Sequence, residues 1–102
     1  MILITTSCGS REEAERIAAA LIEKALAACV QILAATSVYR WKGKVERAEE
    51  HVLHIKTRAA HADLVEAKVR ELHSYELPEL LMMPIAGGSA DYIDWMRSET
   101  AI

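Results

Sequence analysis

Apolar and polar positions alternate along two stretches of the chain, residues 29–42 and 44–58, separated by one glycine, Gly43. Alternation with a period of two is the signature of a strand with one covered face. Glycine accepts the positive φ of a hairpin turn, so Lys42-Gly43-Lys44 reads as the tip of a β-ribbon. Arms of roughly 14 residues predict a ribbon of about 45 Å, whereas a chain of this size has a radius of gyration near 13 Å. Such a ribbon overhangs its own globule. Its apolar side chains then need cover from further copies of the chain, which predicts an obligate oligomer.

The flanking segments follow other rules. Ile2-Leu3-Ile4-Thr5-Thr6 is short and β-branched, a buried strand broken by Cys8-Gly9-Ser10. Ser10 to Glu13 then matches a capping box, and Glu12, Glu13 and Glu15 suit the positive end of a helix dipole. Ala14, Ile17, Ala18, Leu21, Ile22 and Ala25 recur at helical spacing, which carries the helix to near Ala27. A second helix puts Leu64, Val65, Val69 and Leu72 on one side and a Glu66–Arg70 pair on the other. His61, near its start, is expected to face solvent. Pro78 ends any helix before it, Leu80 to Met83 is a short strand, and Pro84 marks its edge. After Gly87-Gly88, Ser89 caps a last helix on which Tyr92, Trp95, Met96 and Glu99 share a face. The order predicts a single α+β domain over residues 1–102: a ferredoxin-like βαββαβ sandwich with a long β-hairpin and an extra C-terminal helix.

The hydrophobic fraction of 52% is above the ordinary range and fits a chain with an interface to bury. A net charge of −3 argues against nucleic acid, and the absence of phenylalanine argues against an RNA-recognition sheet. No apolar run is long enough to span a membrane, and the N-terminus lacks the basic region of a signal peptide. The cytoplasm is the expected compartment, with Cys8 and Cys29 as reduced thiols. No phosphate cradle with an arginine and no nucleophile–base pair stands at motif spacing, so a non-enzymatic role is expected.

Several fragments in this order resemble the CutA family of divalent-cation tolerance proteins. They are Leu26-Ala27-Ala28-Cys29-Val30, Ser37-Val38-Tyr39-Arg40-Trp41-Lys42-Gly43-Lys44, Ile55-Lys56-Thr57, His73-Ser74-Tyr75-Glu76-Leu77-Pro78-Glu79 and Tyr92-Ile93-Asp94-Trp95. The resemblance implies a homotrimer similar in assembly to the PII signalling proteins, and binding of copper or other divalent cations. Some bacterial members carry a cysteine at the end of the first strand and two adjacent histidines before the Tyr-Glu motif. Here those positions read Thr6 and Leu72-His73, so one of the three proposed ligands remains.

His73 is the leading metal candidate, since imidazole suits Cu(II) and Zn(II), with Glu76 three residues on. The competing role is a C-terminal histidine that stabilises the helix dipole. Cys29 is either a small buried hydrophobe or a thiolate ligand. Cys8, beside Gly9 at a helix start, is expected to be the more exposed thiol and the one with a lowered pKa. His51 and His54 fall on opposite faces of a strand, which excludes a site made of that pair. Met82 and Met83 are expected to pack in the core rather than hold Cu(I). Tyr39, Trp41, Lys56, Tyr75 and Glu79 are expected to line a pocket between subunits, or to serve as interface anchors. With Lys56 there, the alternative function is a PII-like adaptor that binds a small anionic ligand.

Overall fold

The structure is a computed structural model that describes residues 1–101. Its longest element pair is the ribbon. Strands β2 (Cys29–Trp41) and β3 (Lys44–Thr57) run antiparallel from Cys29 opposite Lys56 to Trp41 opposite Lys44. Lys42 and Gly43 close the tip with φ values of 49° and 81°. Positive φ at both central residues is the requirement of a type I′ turn, whose twist matches the strands it joins. The ribbon sets the long dimension: the molecule measures 45 × 25 × 21 Å.

Strand β1 (Ile2–Cys8) lies between β3 and the short strand β4 (Leu81–Pro84), giving an antiparallel sheet in the order β2-β3-β1-β4. Helices α1 (Arg11–Glu23) and α2 (Ala62–Leu72) cover one face, as the ferredoxin-like pattern requires. Ile4 and Cys8 of β1 and Leu53 and Ile55 of β3 meet Ile17 and Leu21 of α1 and Val65 and Val69 of α2 in one core.

Four local readings are corrected. Helix α1 stops at Glu23, not near Ala27, because Ala25 adopts a left-handed φ of 56° and Leu26 N–H turns back to the Leu21 carbonyl. This is a helix stop built without glycine, at a cost of about 1 kcal/mol relative to glycine. The capping box is half formed: Ser10 Oγ accepts from Glu13 N–H at 3.2 Å, and the Glu13 side chain turns inward instead of back to the cap. His61 is buried, not solvent-facing. A 3₁₀ turn over Ala59–His61 folds it under the C-terminal helix α3 (Ala90–Glu99), where Nε2–H donates to the Thr100 carbonyl at 2.7 Å. Met82 and Met83 are exposed on β4 rather than in the core.

Candidate functional site

Helix α1 begins two residues after β1 ends, so the turn at Gly9 and Ser10 holds Cys8 and Glu13 close together. Cys8 stands on the helix-covered face of the sheet, and Glu13 lies in the first turn of α1, where the helix dipole favours a carboxylate. The end of α2 delivers His73 to the same place. The Cys8 Sγ is 3.8 Å from His73 Nε2, and Glu13 Oε2 is 3.6 Å from His73 Nδ1. One donor atom from each residue falls within 4.8 Å of the others. All three side chains are withdrawn from solvent, His73 completely and Glu13 to 8% exposure.

The hydrogen bonds fix the histidine. Nε2 faces the Ser7 carbonyl at 2.8 Å, an acceptor only, so Nε2 carries the proton. The Tyr75 backbone N–H donates to Nδ1 at 3.1 Å, so Nδ1 presents its lone pair. Glu13 Oε2 lies 3.6 Å from Nδ1, beside that bond, and is buried with no hydrogen-bond partner among the described residues. A buried carboxylate oxygen without a partner is expensive. A cation between these donors would satisfy it, and the S, N and O set suits a borderline ion such as zinc or copper better than magnesium or calcium.

The Cys8 thiol is pushed up from 9.0 to about 12. Burial is the main cause, followed by the charge and hydrogen bond of Glu13 and the charge of Glu50, against a smaller opposing effect of Arg16. This reverses the expectation of an exposed, acidified thiol: Cys8 is fully buried and stays protonated unless a cation displaces its proton. Tyr75 is also raised from its usual value of 10.0, by burial and then by the hydrogen bond its hydroxyl donates to Glu50 at 2.8 Å.

Of the residues singled out in the sequence as ligands, the structure places His73 in this cluster. Cys29 begins β2 opposite Lys56, outside it. Glu76 lines a separate cavity of about 460 Å³ next to the cluster, together with Tyr39, Trp41, Tyr75 and Glu79. Four of the five residues expected in a pocket between subunits thus line one cavity of the single chain. Lys56 is not among them; its ammonium sits 5.4 Å from the Tyr92 ring centroid and 3.4 Å from the Tyr92 hydroxyl. The cavity lining carries no cationic side chain, so its geometry does not favour a small anion.

A four-stranded antiparallel sheet, a ribbon that overhangs it and a buried thiol–carboxylate–imidazole cluster together define a ferredoxin-like protein with a candidate cation site. The family model described as CutA1 divalent ion tolerance protein matches residues 2–99. The chain is similar to the divalent-cation tolerance protein CutA of Thermus thermophilus, with 43% identity over 98% of this chain and 96% of that protein. It is 38% identical to the human protein CutA over 92% of this chain but 53% of that protein, and it spans a similar half of the rice and Arabidopsis chloroplastic relatives. The solved structure of a CutA from Archaeoglobus fulgidus, described as periplasmic, superposes with a TM-score of 0.95 at 40% identity, covering 98% of this chain and 99% of that one. The Thermus thermophilus structure superposes with a TM-score of 0.94. The chain belongs to the CutA1 divalent ion tolerance family. Among the described residues no helix is long and apolar enough to cross a membrane.

Proposed function

We propose that this protein acts in divalent-cation tolerance as a non-enzymatic homotrimer that holds zinc, copper or a similar ion at Cys8, Glu13 and His73. The observation that carries the reading is the unpartnered, buried Glu13 Oε2 3.6 Å from His73 Nδ1, with a thiol within reach; a cation would take Nδ1 in place of the Tyr75 N–H. Both cysteines are free, which accords with a reducing compartment such as the cytoplasm. The assembly reading is supported by Leu33, Val38, Val45, Leu81 and Met82, all exposed along the sheet of a single chain. Subunits that pair through these strands would cover them, and sedimentation of the purified chain would then report a single trimeric species.

Titration of the metal-free protein with zinc, followed by calorimetry, tests the site. Wild type is expected to take one equivalent per chain. His73→Ala and Cys8→Ala are each expected to lose about a hundredfold in affinity, which corresponds to about 2.7 kcal/mol. Equal affinity and stoichiometry in wild type and both variants would remove these residues from the site.

A further inference from the structure

The cavity of about 460 Å³ lies between the outer half of the ribbon, toward its tip, and segment 74–79, and the cation cluster does not use it. Its volume is that of an ordinary small-molecule site. Two kinds of side chain dominate the lining. Glu50, Glu76 and Glu79 supply carboxylates, and Tyr39, Trp41 and Tyr75 supply aromatic rings. None of the three carboxylates lies within ion-pair distance of a lysine, arginine or histidine among the described residues. Glu50 is 7% exposed, so at least one of these charges is held nine-tenths buried with no cation beside it. Its only side-chain partner among the described residues, the Tyr75 hydroxyl, locks a ring in the wall rather than neutralising the charge. Glu79 is likewise oriented, accepting from Thr5 Oγ1 at 2.7 Å.

We propose that this cavity binds a small organic cation of the alkylammonium class. Carboxylates alone would serve a hydrated metal ion equally well. Aromatic faces would not: they attract a weakly hydrated ammonium by the ring quadrupole and cover its carbon stem. Trp41 already shows the behaviour, with the Lys42 ammonium 5.6 Å from its ring centroid. An alkylammonium seated here would meet negative charge at one wall and ring faces at the other. An anion would meet three carboxylates.

Calorimetric titration of the metal-free, assembled protein with tetramethylammonium and with putrescine tests the site at low ionic strength. Glutarate and magnesium serve as controls. Saturable binding of an ammonium probe with Kd below about 1 mM is expected. Trp41→Leu and Glu76→Gln are each expected to weaken it at least fivefold, whereas Glu66→Gln, which removes a carboxylate outside the cavity, leaves it unchanged. Glu76 is exposed, so its variant folds even if Trp41→Leu disturbs the assembly. The proposal is overturned if neither ammonium binds by about 10 mM, if glutarate binds in their place, or if magnesium binds with the same affinity as the ammonium.

Discussion

Changing Glu13 to glutamine makes the metal-free protein more stable and the metal-loaded protein poorer at holding its ion. Both effects come from one oxygen. In the metal-free chain Glu13 Oε2 is a buried carboxylate oxygen 3.6 Å from His73 Nδ1, with no donor near the carboxylate among the described residues but the weak thiol of Cys8. Glutamine removes the charge and keeps the shape of the side chain. Relief of an unsatisfied buried charge is expected to raise unfolding free energy by about 1–3 kcal/mol. The same change removes the only negative ligand not requiring proton loss, and zinc affinity is expected to fall about a hundredfold. Urea denaturation with a chelator present, paired with zinc titration, reads both signs. A loss of stability in the metal-free state would mean that the Glu13 charge is satisfied in a way the buried geometry does not provide.

The second large effect is alkaline. In the unfolded chain the Cys8 thiol titrates near 9.0, and in the folded chain at about 12. Below pH 9 both states keep the proton and this group adds no pH dependence. Between pH 9 and 12 the unfolded chain loses the proton while the folded one retains it, so stability falls with a limiting slope of about 1.4 kcal/mol per pH unit. Tyr75, raised above 10.0, acts with the same sign and begins one unit later. Denaturation of the metal-free protein from pH 8 to 11 should show the decline, and Cys8→Ala should flatten its first part. An identical slope in the variant would contradict the burial of a protonated thiol. Bound zinc replaces the proton and is expected to remove the Cys8 share of the decline.

The element order and the overhang were legible in the chain because they rest on local pattern. The period of two on both sides of Gly43 and the capping signal at Ser10 each act over a few residues. The expected reach of the ribbon matches the 45 Å extent of the molecule. The grouping of four cavity residues had a similar local basis, since Tyr39 and Trp41 share a strand face and Tyr75 and Glu79 share one irregular segment. Lys56 failed to join them because its register places it at the far end of the ribbon, near Tyr92.

The metal cluster was half hidden. His73 stood out by its residue type, but its partners lie 65 and 60 positions earlier in the chain, and only the packing of α1 and α2 on β1 unites them. Two signals were present and unread. Cys8 continues the parity of Ile2 and Ile4, the face that meets the helices, so its nearness to Gly9 did not make it exposed. Glu13 lies one turn before Ile17, on the covered stripe of α1, where a carboxylate is out of place without a partner. His61 was misplaced because the 3₁₀ turn before α2 rotates it inward, and nothing in the local sequence marks the Thr100 carbonyl as its acceptor.

Anomalous scattering from crystals of the zinc-loaded protein, recorded at the zinc edge, tests the cation site most directly. The expected result is one ion per chain, about 2.3 Å from Cys8 Sγ and about 2.1 Å from a nitrogen of His73, with a Glu13 oxygen completing the protein ligands. Zinc found instead at Cys29 or on surface carboxylates, with the Cys8–Glu13–His73 cluster unchanged, would contradict it.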